Sequence, residues 1–571
     1  MPASLSVAAW RRAWRWLWDR LPGSALPLRL RLGAAVRRAL RVLPASNRGM
    51  AGSPEDPATY RAWIVRHDPP LTAADRAAIA AHIAALPARP LISVVMVAQG
   101  APDAGLRAAI ASLRGQLYPH WELCIAGDAA AARVVAEEAA ADSRIRPAGQ
   151  AALALARGEF LALVEPDAML AEQALYAVAV ELAAHPEAAL IYADEDRLDA
   201  AGRRCDPWFK PDFDPDLLRQ QDYVAHLGIV RRELALDCGG QDHDLARRVA
   251  TACGPARIRH IPQILCHRRQ AAGTAPQRLT LPEPAPLVSV IIPTRDGAAM
   301  LAACLSGLLE RTDYPALEIL ILDNGSETPE TFALFERLRQ DARVRILPAP
   351  GPFNYSALNN QAAAEARGEV LLLLNNDIEV IGPGWLREMV SLLLRPGVGA
   401  VGAKLLYADG TLQHGGVVFG PGGTIGHYLP GAAPGATGHH GSLVLVREVV
   451  AVTGACLALR RADYLALGGL DAAALRVAFN DIDLCLRLRE AGQRILWTPH
   501  AELYHRESAS RGDDLSGDKL RRFATEIAHM QQRWGDRLRR DPFANPNLEF
   551  DRPVPVLAAR PPRHRPWKAG G

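Results

Sequence analysis

The chain has 571 residues, 49% hydrophobic and 22% charged, with a formal net charge of only +3 at pH 7. That is the balance of a soluble globular protein of two or three domains, and it gives no global electrostatic match to nucleic acid. The eight scattered cysteines form no C-x-x-C pair, which argues against a disulfide framework or a structural zinc site and for a reducing, cytoplasmic compartment.

Residues 1–50 depart from the average: ten arginines and a single acid, Asp19, lie between Met1 and Arg48. On a helix, Trp10, Trp14, Leu17, Trp18 and Leu21 share one face, and Arg11, Arg12, Arg15 and Asp19 lie opposite. A Trp-rich face backed by arginine suits an anionic membrane surface. Residues 1–48 are therefore expected to dock peripherally on the inner face of the plasma membrane; a protein-binding or disordered arm is the other reading. Arginines interrupt the apolar stretch, unlike a secretory signal. No apolar run reaches the ~18 residues of a membrane span.

Residues 51–90 are expected to be a helical lead. Thr72 and Asp75 have the spacing of a capping box, opening an Ala-rich helix that runs to about Leu86. From 91 to 270, strand-like and helix-like segments alternate, predicting an α/β domain with a mainly parallel sheet. Residues 271–286, rich in Pro, Ala and Gln, are expected to be a linker.

The pattern then restarts. Leu91-Ile-Ser-Val-Val95 matches Leu287-Val-Ser-Val-Ile291, and Tyr118-Pro119-x-x-Glu122 matches Tyr314-Pro315-x-x-Glu318. Ala156-Arg-Gly-Glu159 matches Ala366-Arg-Gly-Glu369, and Gln241-Asp-His-Asp-Leu245 matches Asn480-Asp-Ile-Asp-Leu484. Pro262 and His267 match Pro499 and His505. Five matches in one order predict one α/β domain occurring twice, the second over 287–545. A Pro/Arg-rich tail, 546–571, is expected to be poorly ordered from Asp551 on.

The second copy carries the polar strand ends. Ligands of open α/β sheets lie beyond the carboxyl ends of the strands. There stand Pro293-Thr294-Arg295-Asp296-Gly297, then Asp323-Asn324-Gly325-Ser326, then Asn375-Asn376-Asp377 after four leucines. Asp377 is placed to hold a divalent cation through oxygen. Asn359-Asn360 is expected to begin a helix. Neither G-x-G-x-x-G nor G-x-x-x-x-G-K-[ST] occurs at the first strand, which argues against a dinucleotide site and a P-loop. Further on, Asp481 and Asp483 open a helix, where acids favour the dipole and either could act as a general base. His505 is a candidate second metal ligand. Gln413-His414-Gly415-Gly416 and Gly426-His427 belong to a loop region expected to cover the donor or select the acceptor.

As a set, VSVIIPTRDG at 288–297, LDNGS at 322–326, LNNDIEV at 374–380, TGACLALRR at 453–461, NDIDLCLR at 480–487 and YHRES at 504–508 resemble a family 2 glycosyltransferase with a GT-A fold. The resemblance covers about 286–534 and is strongest to bacterial rhamnosyltransferases of O-antigen and other surface polysaccharides. The whole chain resembles two-domain members, implying two tandem GT-A, Rossmann-like domains. Pro293, Thr294, Asp296, Asp323, Asn360 and Asn376 would then line the nucleotide. Asp377 and His505 would hold Mg2+ or Mn2+, with Asn375 where the family has the first Asp of Asp-x-Asp. Asp481 would be the general base, with Asn480 in place of the usual Glu. The implied reaction is inverting transfer of a hexosyl group, rhamnosyl among the candidates. The implied donor is dTDP-rhamnose or a UDP-hexose and the acceptor a glycan or lipid-linked glycan, with no nucleic-acid partner.

The first copy lacks the nucleoside residues. Val97 and Ala98 stand for Pro293 and Thr294, Gly127 for Asp323, and Gln150 for Asn360. Asp167, Asp242 and His267 remain as a vestigial site, and Tyr192-Ala-Asp-Glu-Asp196 adds acids. The first domain is thus expected to be degenerate. The alternatives are a bifunctional transferase or a non-catalytic carbohydrate-binding scaffold; a nucleotidyltransferase is disfavoured by the poor phosphate loop at 293–297.

Overall fold

The computed structural model describes residues 52–148, 152–239, 244–269, 281–420, 424–506, 517–550, 552, 554–562 and 565–568. The basic arm at 1–50, Gln150, Asp242 and most of the expected linker lie outside them. The chain divides into two compact units, one of residues 52–277 with 542–549 and 556–571, the other of residues 278–541 with 550–555.

In the first unit the predicted capping box is formed: the Thr72 side chain accepts from the Asp75 N–H, Asp75 accepts from the Thr72 N–H, and the helix Ala73–Ala85 follows. The sheet is built from β1 (Ile92–Ala98), β2 (Trp121–Gly127), β3 (Ile145–Pro147), β4 (Phe160–Leu163), β5 (Met169–Leu170), β6 (Leu190–Leu198), β7 (Arg204–Trp208), β8 (Gly228–Arg231) and β9 (Ile258–Arg268). Their order is β3-β2-β1-β4-β8-β6-β9-β5, with β7 on β6.

The second unit repeats this plan. Its strands are β10 (Val288–Thr294), β11 (Leu317–Asp323), β12 (Val344–Pro348), β13 (Val370–Leu374), β14 (Ile378–Val380), β15 (Val398–Leu406), β16 (Leu412–His414), β17 (Val417–Gly420), β18 (Thr424–His427), β19 (Arg447–Glu448), β20 (Cys456–Arg460) and β21 (Arg494–His505). The order is β12-β11-β10-β13-β20-β15-β21-β14, with β16 on β15 and β19 on β21. Each neighbour relation keeps its direction between copies: parallel from β3 to β4 and from β12 to β13, antiparallel through β8 and β20, parallel again at β6/β9 and β15/β21. The α/β duplication read from five short motifs is therefore present strand for strand. β13 is buried along its whole length, as expected for a parallel strand covered on both faces.

The shared motifs explain themselves in atoms. The Ser93 hydroxyl donates to Glu122 at 2.7 Å, and Glu122 accepts from the Arg157 N–H at 2.6 Å. Ser289 and Arg367 do the same to Glu318 at 2.5 and 2.6 Å. Gly158 and Gly368 each donate their N–H to that serine at 2.8 Å. A Cβ on either glycine would stand 2.5–2.8 Å from atoms of the first strand and its approach, so only glycine passes there.

Two expectations are corrected. The tail is not poorly ordered where it is described: β22 (Leu548–Glu549) pairs with β23 (Val556–Leu557), the Asn545 amide donates to Asp194 at 3.0 Å, and the Trp567 indole donates to Asp75 at 3.0 Å. A strand pair and two anchored side chains outweigh a composition of Pro and Arg. Asn359-Asn360 does not begin its helix, which spans Tyr355–Glu365 and is capped by Asn354 accepting from the Ala357 N–H.

Candidate active site

The site of the second unit lies at the carboxyl ends of β10, β11 and β13. Pro293 and Thr294 are buried there, and the Asn376 amide donates to the Thr294 hydroxyl at 2.9 Å. Asp296 takes a left-handed backbone, φ +53°. Its carboxylate accepts the N–H groups of Glu327 and Thr328 at 2.8 and 2.9 Å, and its own N–H donates to Ser326 at 2.8 Å. Those backbone donors hold the Asp296 carboxyl below its usual range. Asp323 accepts the Ser326 N–H at 2.9 Å. Asp296 thus stitches together the loops after β10 and β11, and Asp323 braces the second of them.

Asn360 is engaged otherwise. Its carbonyl oxygen accepts from the Tyr464 hydroxyl at 2.6 Å and the Leu470 N–H at 2.8 Å, and its amide donates to the Leu470 carbonyl at 2.8 Å. Gly469, φ +71°, must be glycine, because a Cβ would fall 2.4 Å from the Asn360 oxygen. Asn360 latches the loop at 469–470, with its oxygen accepting twice and one amide hydrogen donated.

Beyond β13, the Asn375 N–H donates to the Ala455 carbonyl at 3.0 Å. The Asp377 side chain is 8% exposed, and its Oδ1 receives no hydrogen bond although His505 Nε2 is 3.2 Å away. His505 is the last residue of β21, opposite Ile378. The strand runs through Pro499, and near it the β15/β21 register shifts between Ala403 and Lys404. A buried carboxylate oxygen without a donor is costly, and here it faces a ring nitrogen across a gap suited to a cation.

Asp481 lies in the first turn of the helix Asn480–Glu490, entered through Phe479 at φ +63°. Its two oxygens accept the N–H groups of Gly454 and Ile482, both at 2.8 Å. Burial pushes the Asp481 carboxyl up, against the pull of those donors and of His427. Asp483 is spoken for: it accepts from the Trp534 indole at 3.0 Å and Arg487 at 2.8 Å, with Arg533 at 3.2 Å. Of the two acids, Asp483 anchors the helix, and among the described residues no Lys or Arg pairs with Asp481. Behind the turn, Glu526 accepts the N–H groups of Val477 and Ala478, and Phe523 stacks on Phe479.

One short turn ties Asp481 to the backbone of Asn375, two residues before Asp377. Gly454 donates to Asp481, Ala455 accepts from Asn375, and the Thr453 N–H donates to His414 Nε2 at 3.3 Å. With its Nε2 an acceptor, His414 donates from Nδ1 to His427 Nδ1 at 2.7 Å. Gln413, next to His414, reaches His505 at 2.6 Å. Gln413, Gly454 and Glu526 were missed from sequence. Gln413 and Gly454 lay inside motifs already singled out, whereas nothing pointed to Glu526.

In the first unit the corresponding edge is filled by internal ion pairs. Arg268 donates to Glu165 at 2.8 and 3.1 Å and to Glu195 at 3.1 Å, and buried Lys210 donates to Glu195 at 2.8 Å. Burial raises the Glu165 carboxyl, but His226 and Arg268 outweigh it and hold it down at about 2. His267 Nδ1 is 2.5 Å from Asp196, which also accepts from Tyr60 and Arg204, both at 2.6 Å. Asp167 does not stand where Asp377 does. Met169 is opposite His267 as Ile378 is opposite His505, so the residue before the paired strand is Ala168. One extra residue in the turn displaces the acid.

The family model "Glycosyl transferase family 2" matches residues 289–438. The chain is similar to the uncharacterized protein y4gI of Sinorhizobium fredii, 40% identical over 82% of this chain and 59% of that one. It is similar to the O-antigen biosynthesis protein RfbC of Myxococcus xanthus, 38% identical over 87% of this chain and 44% of that one. It is also similar to the N-acetylglucosaminyl-diphospho-decaprenol L-rhamnosyltransferase of Mycobacterium tuberculosis, 26% identical over 40% of this chain and 78% of that one. The chain thus spans about half the length of the first two.

Proposed function

We propose, from the premise that this chain carries a family 2 glycosyltransferase domain at residues 289–438, that its second unit is an inverting, metal-dependent hexosyltransferase of surface polysaccharide synthesis. A nucleotide-diphosphate sugar is the donor, dTDP-rhamnose or a UDP-hexose, and a glycan or lipid-linked glycan is the acceptor. The names of the relatives support the pathway class. The observation that carries the reading is the buried Asp377 oxygen without a donor, 3.2 Å from His505 Nε2, on the edge where a two-residue turn also fixes Asp481.

Asp377 and His505 would hold Mg2+ or Mn2+. Among the described residues no group of three or more His, Cys, Asp or Glu is gathered for a metal. Two protein donors completed by phosphate oxygens and water suit Mg2+ and its substitutes. When bound, such an ion neutralises charge on the nucleoside diphosphate as a Lewis acid. The chain's own residues do the rest. Thr294, Asn376 and the loops tied by Asp296 and Asp323 orient the donor. Asp481, its carboxyl raised by burial, accepts the proton of the attacking acceptor hydroxyl. A single displacement inverts the anomeric carbon. The first unit is proposed to be a non-transferring partner, supported by Arg268 among its acids and by the slipped Asp167. Residues 1–48 are proposed to dock on anionic lipid; no helix among the described residues is long and apolar enough to cross a membrane.

The test is release of nucleoside diphosphate from dTDP-rhamnose, UDP-hexoses and GDP-hexoses by the purified chain, with Mn2+ or with EDTA. Metal-dependent release from one nucleotide class, abolished by Asp377→Asn, is expected. Formation of nucleoside triphosphate and sugar 1-phosphate from the donor when pyrophosphate is added would mark a nucleotidyltransferase, and no release from any donor a scaffold; either outcome ends the proposal.

A further inference from the structure

We propose that Gln413 is a positioning residue that locks His505 in its Nδ1–H tautomer, so that Nε2 presents a lone pair to a cation beside Asp377. The inference rests on the metal-site reading above and adds to it a residue that touches neither substrate nor metal.

The assignment follows from hydrogen-bond inventory. The Gln413 amide nitrogen donates to the His505 carbonyl at 3.3 Å, which identifies the other terminal atom, 2.6 Å from the ring, as the oxygen. An amide oxygen only accepts, so Nδ1 carries the hydrogen and a neutral ring has none on Nε2. That bare nitrogen faces the Asn375 amide at 3.3 Å and the donor-less Asp377 oxygen at 3.2 Å. A metal-binding imidazole needs this state, and the hydrogen bond on its far nitrogen sets it.

Backbone geometry aims the clamp. On the β15/β16 ladder, His414 is opposite Leu405 and Leu412 opposite Leu406. Gln413 is therefore the extra residue of a bulge, a device that re-aims one side chain. Its side chain is buried and grips His505 at two points. The first unit meets the same need differently: His267 Nδ1 is satisfied by Asp196 of β6, directly opposite it in the ladder. An acceptor for this nitrogen is thus supplied in both copies, by different strands.

The experiment has two arms, both on the full chain. In metal-free protein labelled with 15N-histidine, the His505 signal, identified by its loss in His505→Ala, should report the Nδ1–H tautomer. The Nε2–H form would overturn the inference whatever the variants do. In the second arm, Mn2+ alone is titrated by electron paramagnetic resonance. Gln413→Leu should weaken binding about 10–100-fold, and Gln413→Glu, which keeps an acceptor for Nδ1–H, should restore it to within about threefold. Equal affinity in wild type and Gln413→Leu refutes the role of Gln413 if Asp377→Asn still abolishes binding. If Asp377→Asn leaves Mn2+ affinity unchanged, the metal site itself fails and takes the inference with it.

Discussion

Replacing Asp481 by Asn bears most directly on the proposed chemistry. A positioned general base contributes about 10²–10⁴-fold, which is roughly 2.7–5.5 kcal/mol of barrier at 1.36 kcal/mol per decade. The structure adds a second cost. Both Asp481 oxygens accept backbone N–H groups at 2.8 Å, from Gly454 and from Ile482. Asn keeps one oxygen, so its NH2 must face an N–H, an unmade bond costing ~1–3 kcal/mol. The variant is therefore expected to transfer about 10²–10⁴-fold more slowly in single turnover while binding nucleotide within a few-fold of wild type. The pH profile distinguishes chemistry from distortion. Burial raises the Asp481 carboxyl above its ordinary range, and a base works only when ionised. The wild-type rate should accordingly fall, as pH falls, at a pH above that of an ordinary carboxyl. Asp481→Asn should lack that limb. A variant that keeps a tenth of the rate or more, or keeps the limb, would remove Asp481 from the role.

Two further outcomes test the frame around the site. Gly368→Ala drives a Cβ to 2.6–2.7 Å from Leu287 and Ser289, an overpacking worth ~1–3 kcal/mol. Calorimetry should show the second unit's transition several degrees lower, and Gly158→Ala the same for the first; unchanged transitions would mean that the shared glycines are not steric. His260, its side chain 2% exposed, is opposed by burial but pushed up to about 9 by Asp194 and Asp212, at 2.9 and 3.1 Å. A raised folded-state value gives stability that is full below the ordinary His range near 6.5 and lost as pH rises through about 9. The first unit should therefore melt lower at pH 9 than at pH 6.5 by an amount of order 3 kcal/mol, and His260→Asn should flatten the difference.

The duplication sorts legible residues from illegible ones. Strand order and the Ser–Glu–Gly tie could be read twice because each is local: short apolar runs, a Tyr-Pro turn, and a glycine where a strand passes. Polar roles were read less well, since side-chain partners are chosen by tertiary contacts with no spacing in sequence. Asn360 sits at a nucleotide-binding motif position, yet Tyr464 and Leu470 take both bonds to its oxygen and one from its amide. Gln413 reaches His505 only through a bulge, and Glu526 reaches the Phe479 turn from 47 residues away in sequence. Asp167 looked retained until one extra turn residue moved it. The proposed loss of the site from the first copy makes that copy a filter. Ser93, Glu122 and Gly158 persist opposite Ser289, Glu318 and Gly368 because the sheet cannot close without them. Thr294 and Asp323 are replaced by Ala98 and Gly127 at identical ladder positions, so the strand pairing holds without either polar side chain. The fold does not require these two polar side chains, which fits the proposed site at the carboxyl ends of β10, β11 and β13.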